Sequence, residues 1–212
     1  MAKFLGTRHE SLIVAPSDLI DAAKTISKIY DEPFADSSQI PTYLVSKIAR
    51  EKVTVALTGD GGDELFGGYN RYFLTNKFWP ILRLIPYFLR QKIGNILAKQ
   101  FVQQYSEKLT KIGVKLKNIK SIEDLYFNYT TELNMVSRVL KDHYHKQISR
   151  DNFNDKSLIY LNDVEKMMYF DSERYLPDDL LCKVDRASMF HSLETRAPFL
   201  NHRIYEYSLK MP

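Results

Sequence analysis

Cysteine is almost absent: Cys182 stands alone in 212 residues. A lone thiol excludes an internal disulfide and a cysteine-based zinc site, and it suits a reducing compartment, so the cytoplasm is the expected location. No apolar run follows Met1-Ala2-Lys3, which excludes a secretory signal at this end. Long hydrophobic stretches are missing as well. The most apolar one, Phe78 to Ala98, is broken by Arg83, Pro86, Arg90 and Lys92, so the sequence offers no bilayer span. Neither sign of charge dominates. The formal net charge is +4, and 44% hydrophobic with 26% charged residues is ordinary for a folded globular chain. There is no repeat and no low-complexity segment. The length suits one domain or little more.

Glycine is scarce and badly spread. Of eight glycines, five (Gly59, Gly61, Gly62, Gly67, Gly68) fall between Val53 and Tyr72, and only Gly6 precedes them. The apolar, partly β-branched run Val53-Thr54-Val55-Ala56-Leu57 leads into them and reads as a buried parallel strand. The glycines allow positive φ and close backbone approach. Asp60, Asp63 and Glu64 place carboxylates on the turn, and Leu65, Phe66, Tyr69, Tyr72 and Phe73 continue as a helix. Strand, Gly-rich acidic turn and helix together describe a ligand crevice at the carboxyl edge of an open α/β sheet. The common nucleotide and calcium patterns are absent: no G-x-x-x-x-G-K-[ST], no G-x-G-x-x-G with a distant acid, no EF-hand loop. Three carboxylates beside phosphate call for a cation between them. The residues alone leave two readings open, a Mg²⁺–polyphosphate or acid–base site, and a sharp turn whose acids cap a helix.

Before this stretch, Ser11 to Val14 is a strand candidate. Ser17 is placed to cap a helix striped by Leu19, Ile20, Ala23, Ile26 and Ile29. Asp31-Glu32-Pro33 ends it, and a second helix over about Ser38 to Lys52 feeds the Val53 strand. This β-α-α-β order implies a parallel sheet with a right-handed crossover. Asp36 and Ser38 either line the crevice or cap that second helix.

After it, Lys77 to Lys120 is helical, aromatic and basic, with Glu107 as its single acid. Such stretches can meet nucleic acid or anionic surfaces. With no nucleic-acid motif present, a solvated face is the preferred reading, and neither nucleic acid nor membrane is the expected partner. His143 and His145 sit one residue apart without a third ligand, which is poor metal geometry. Near the end, Pro177, Asp178 and Asp179 are placed to open a helix. Lys183 and Arg186 share a face of it. They would neutralise a phosphate or substrate carboxylate, or else pair with Asp179, Asp185 or Glu194. Glu194 and Arg196 read as structural ion-pair partners. Ser188 and His191 lack an orienting acid for nucleophilic chemistry.

Three segments, in order, resemble one family. Thr58-Gly59-Asp60-Gly61-Gly62-Asp63-Glu64-Leu65-Phe66-Gly67-Gly68-Tyr69 is similar to the S-G-[DE]-G-[SAG]-D-E-x-F-G-G-Y signature of the asparagine synthase family. Leu181 to Asn201 resembles its L-x-K-x-D-R-x-[ST]-M through E-x-R-x-P-F-L-[DN] segment. Asp31 to Ser38 resembles its D-E-P-x-x-D-x-[ST]. The match runs nearly end to end, with a weaker middle. The resemblance implies a partial parallel, Rossmann-like sheet of the adenine nucleotide alpha-hydrolase kind, followed by a mostly helical C-terminal half. Residues 1–76 would be part of the nucleotide-binding α/β unit and 77–212 the helical portion of the same synthetase domain.

The resemblance also implies chemistry. Thr58, Gly59 and Gly61 match positions that contact ATP. Asp60 occupies the catalytic acidic position, one methylene shorter than the Glu of many members. Asp63 matches a position that can hold Mg²⁺. The implied partners are ATP, aspartate and ammonia from a glutaminase domain, in a parent that could be a homodimer. The family's S-G-G-x-D-S phosphate loop does not occur here, residue 2 is Ala rather than the glutaminase cysteine, and the downstream Lys-Lys-x-Gly-Phe segment would lie beyond Pro212. The chain is therefore expected to be an incomplete synthetase domain, inactive alone. Two alternatives stay open: a relative that amidates another carboxylate, such as a sugar, and a binding module that keeps the fold without the chemistry.

Overall fold

A computed structural model describes residues 1–11, 13–99, 106–130 and 156–211. The fold is mixed α/β and mostly helical, with a small two-stranded parallel sheet among the described residues. The chain divides into two compact units. One is Met1–Gly61 together with Leu176–Pro212, and the other is the continuous segment Gly62–Tyr175.

The first unit opens with α1 (Ala2–Leu5), stopped by Gly6 in the left-handed conformation. In α2 (Pro16–Ile26) the N-cap is Ala15, not Ser17. Pro16 presets the first helical φ and has no N–H to satisfy. Asp18 reaches back to accept from the Ala15 N–H at 2.9 Å, so Ser17 lies inside the helix. Helix α3 (Gln39–Arg50) follows with Ser38 at its N-cap, then β1 (Val55–Leu57). The unit resumes after the long insertion with α10 (Cys182–Met189), β2 (Glu194–Arg196), a 3-10 turn (Pro198–Leu200) and α11 (His202–Ser208). Its core gathers Ala22, Ile29, Tyr30, Tyr43 and Ala187, with Tyr30 and Phe34 stacked at 4.7 Å.

Strand β1 is parallel, as its sequence predicts, but its partner is β2. Val55 pairs with Glu194, Ala56 with Thr195 and Leu57 with Arg196. The expected strand at Ser11 to Val14 does not form at Ser11, Ile13 or Val14. Nor is β1 buried. Val53, Val55 and Leu57 alternate onto one face, and there Val55 is 52% and Leu57 75% exposed. The reason is local: no helix among the described residues of the unit covers this face.

The second unit begins with α4 (Gly62–Phe66), α5 (Asn70–Leu84), α6 (Tyr87–Leu97), α7 (Glu107–Asn118) and α8 (Ile122–Thr130). A 3-10 turn (Lys156–Tyr160) and α9 (Asp163–Phe170) follow. Its core is aromatic: Tyr72, Trp79, Tyr126 and Phe170 with Ile119, Ile122, Leu125, Leu158 and Met167. Helices α6 and α7 cross with almost no gap. A Cβ at Gly94 would come within 2.6 Å of the Gly113 carbonyl oxygen, and one at Gly113 within 2.6 Å of the Leu97 Cβ. His143 and His145 fall outside the described residues.

From Asp171 to Leu181 the backbone winds as a π-helix that runs into α10. Pro177 is inside this element, whereas the sequence places it at a helix start. An α-helix would set the proline ring against the carbonyl four residues back. The wider π turn bonds five residues back and relieves that clash.

Candidate functional site

The first unit carries an open cleft of about 900 Å³, walled by Thr58, Asp60, Val184, Asp185, Arg196 and Arg203 among others. Strand pairing places its first wall. The Thr58 N–H donates to the Arg196 carbonyl at 2.8 Å, extending the β1–β2 ladder one residue. That bond turns Thr58 and Asp60 toward the cleft at the carboxyl end of β1. The Thr58 hydroxyl is buried and has no hydrogen-bond partner among the described residues. Buried hydroxyls nearly always have a partner, and Thr58 is a residue of the cleft wall.

The turn residues have different duties. Gly61 holds φ 88°, and a Cβ there would come within 2.5 Å of Leu200 Cδ2. It is needed for both conformation and space. Gly62 opens α4 instead. Gly59 faces open space, since a Cβ there would meet nothing within 4 Å. In the second unit, exposed Asp63 lies over Gly68: a Cβ on Gly68 would be 2.0 Å from Asp63 Oδ1. The Gly68 N–H also donates to the Asp63 carbonyl at 2.9 Å. Among the described residues no three or more His, Cys, Asp or Glu cluster tightly enough to hold a metal alone.

Beside α3 and α10 lies a second polar group. The Lys183 ammonium, 8% exposed, donates to Asp36 Oδ2 at 2.5 Å and to Ser38 Oγ at 2.7 Å. The Ser38 N–H and hydroxyl donate to the same carboxylate at 2.8 and 2.7 Å. Asp36 and Ser38 thus fix α3 and anchor α10. Burial acts to raise the Asp36 carboxyl, but the hydrogen bonds and charge from Lys183 and Ser38 outweigh it and hold the group below its ordinary value. The sign follows. The unfolded carboxyl titrates near pH ~3.9, and the folded one lower. This contact therefore contributes its full stability above about pH 4 and loses it as pH falls through the folded value. Acid unfolding of Asp36→Asn, followed by circular dichroism, should show a weaker dependence on pH below 4 than the parent; an unchanged acid limb would assign that dependence to other groups.

Lys183 and Arg186 do not wait free for a ligand: Arg186 pairs with Asp31 at 2.8 Å. Glu194 and Arg196 pair with each other at 3.0 Å, the structural role expected of them. The Ser188 hydroxyl donates to the Asp185 carbonyl, and His191 packs its ring 4.5 Å from that of Tyr43. Burial, with Lys47 nearby, pushes the His191 imidazole below its ordinary value.

The sequence reading missed a polar knot in the core of the second unit. Asp171, fully buried, accepts from Arg71 Nε at 3.1 Å, and Arg71 Nη2 lies 2.8 Å from the same oxygen. Tyr72 and Tyr126 donate to it as well, Tyr126 at 3.0 Å. Burial pushes the Asp171 carboxyl up against the pull of these three partners. The Arg71 guanidinium lies 4.0 Å from the Tyr69 ring centroid and 4.7 Å from that of Tyr175. The Tyr69 hydroxyl donates to Glu64, which is 2% exposed. Glu64 and Tyr69, both in the Gly-rich motif, thereby join it to the core.

Comparison with known proteins adds a likeness over the whole length. The family model described as asparagine synthase matches residues 1–212. The chain is 32% identical to asparagine synthetase [glutamine-hydrolyzing] 1 of Bacillus subtilis over 218 residues, covering all of this chain and 33% of that protein. It is 27% identical over 217 residues to a putative asparagine synthetase [glutamine-hydrolyzing] of Mycobacterium tuberculosis, covering all of this chain and 32% of that one. Over 189 residues it is 26% identical to amidase chyE of Penicillium rubens, covering 80% of this chain and 27% of chyE. The chain spans between about a quarter and a third of the length of these relatives. No solved structure matches.

Proposed function

Because the chain belongs to the asparagine synthase family, we propose that it is the part of an ATP-dependent amide-forming ligase that carries one wall of the nucleotide and acid–base site. The observation that carries this is the end of β1. There Thr58, whose buried hydroxyl has no partner among the described residues, and Asp60 line one cleft. We take β1 and β2 as two strands of a parallel, Rossmann-like sheet, a reading supported by their register and by the turn at their carboxyl end.

The reaction is activation of a carboxylate, with aspartate as the proposed substrate. A carboxylate oxygen attacks the α-phosphorus of ATP, the bond to pyrophosphate breaks, and the carboxylate becomes an acyl-adenylate. Ammonia, supplied from glutamine, then attacks the acyl carbon, and AMP leaves with the electrons of the broken acyl–oxygen bond. Thr58 and the backbone at Gly59 and Gly61 hold the nucleotide. Asp60 takes a proton from the attacking nitrogen as it becomes an amide. Asp63 would hold Mg²⁺, which supplies charge neutralisation for the departing pyrophosphate. Most of the rate enhancement is positioning and electrostatics rather than covalent catalysis by the protein.

The test is pyrophosphate release by the full-length protein in the presence of ATP, Mg²⁺ and ammonia. Release that depends on aspartate and yields asparagine is the expected result. Release that depends instead on another carboxylate would keep the chemistry and replace the substrate. No release with any carboxylate would remove the reading.

A further inference from the structure

On α5 the side chains turned away from the core form their own stripe: Phe73, Leu74, Lys77, Phe78, Ile81 and Leu84, in which 73, 77, 81 and 84, and 74 and 78, stand three or four residues apart. Tyr72, Thr75 and Trp79 take the buried face. Ile81 is 61% and Leu84 80% exposed. The next helix repeats the pattern, with Arg90 and Gly94 buried and Phe88, Leu89, Lys92, Ile93 and Ile96 outside. A helix on a water-facing surface puts polar residues outward. These two put phenyl and aliphatic groups outward with lysines set among them. The Lys77 ammonium lies 5.9 and 5.7 Å from the Phe73 and Phe78 rings. Exposed apolar surface of this extent marks a docking face.

Charge decides what docks. From Leu65 to Ser106 there is no Asp or Glu, against Arg71, Lys77, Arg83, Arg90, Lys92 and Lys99. Arg90 is used internally, donating to the Ile85 and Ile119 carbonyls, and Arg83 reaches Asp163 at 3.5 Å. Lys77, Lys92 and Lys99 stay on the surface. An identical face of a second copy would meet them with like charge. Length excludes a span: α5 has 15 residues and α6 has 11, about 22 and 17 Å of helix against a hydrocarbon core of about 30 Å. No helix among the described residues is long and apolar enough to cross a membrane. Basic helices with an exposed Phe/Leu/Ile face lie in the plane of a lipid interface.

We infer that α5 and α6 seat the protein on an anionic lipid surface. Their phenyl and aliphatic side chains enter the headgroup boundary, and Lys77, Lys92 and Lys99 meet the anionic headgroups. The basic residues, read from the sequence as a solvated face, become a lipid-facing one because the same helix faces expose Phe73, Phe78, Ile81 and Phe88. The test is co-sedimentation of the full-length protein with phosphatidylserine-rich vesicles and with pure phosphatidylcholine vesicles. At least about tenfold stronger binding to the anionic vesicles is expected, weakening as salt rises. Phe78→Ser combined with Ile81→Ser, and separately Lys77→Glu combined with Lys92→Glu, should each weaken it at least about tenfold with the melting temperature held, since all four positions are exposed. Equal binding to both vesicle types, binding to neither, or a face closed by self-association in light scattering would each overturn the proposal.

Discussion

In the full-length protein, Asp60→Asn is expected to slow amide formation by about 10²- to 10⁴-fold and to leave the ATP concentration dependence nearly unchanged. The substitution keeps the shape of the side chain and removes its ability to take a proton. Asp60 stands on the cleft wall three residues past β1, on a turn whose conformation Gly61 and Leu200 dictate, so the backbone should hold in the variant. A nucleotide-holding role would give the opposite split, with weaker ATP dependence at an unchanged maximal rate. Steady-state pyrophosphate release measures both parameters. Wild-type turnover in the variant would strip Asp60 of the proton-transfer role.

A second substitution should act on stability. Asp171→Ala is expected to destabilise the protein by about 3–5 kcal/mol, the range for breaking a buried ion pair by removing one partner. The side chain is fully buried among Arg71, Tyr72 and Tyr126. Deleting it leaves a guanidinium and two phenol hydroxyls without their acceptor at a fully buried position. Urea unfolding followed through the buried Trp79 would read the loss. A change below about 1 kcal/mol, the scale of an exposed pair, would mean the knot relaxes onto other partners.

These two residues also show what could be read from the chain and what could not. Asp60 was legible because its signal is local: strand, glycine and acid follow one another within six positions, and the structure puts Thr58 and Asp60 on one cleft. Helix α3 and the helical character of the described residues of 77–120 were legible for the same reason, through short-range periodicity. Asp171 gave no signal. Its partners lie 45 to 100 residues away in sequence, and an aspartate in a polar run looks like any solvated acid. Asp36 was ambiguous on the same grounds, since Lys183 stands 147 positions on. The expected strand failed at Ser11, Ile13 and Val14 because so short a run carries no period that separates strand from coil. Pro177 misled because proline at a helix start is common and a π-helix around it is rare.

The parallel pairing of β1 with β2 has a consequence for how the chain is made. Val55 meets Glu194, so the ladder cannot close until the ribosome has released everything between them. At about 5–20 residues per second, that leaves β1 without its partner for roughly 7 to 30 s. Gly62–Tyr175, by contrast, is one continuous segment with its own aromatic core, and nothing in that core waits on later sequence. The inserted unit can therefore be native while the unit that surrounds it in sequence is still unassembled. During that interval the edge of Val55–Leu57 that β2 will cover stays open, and an open strand edge is the kind that seeds aggregation.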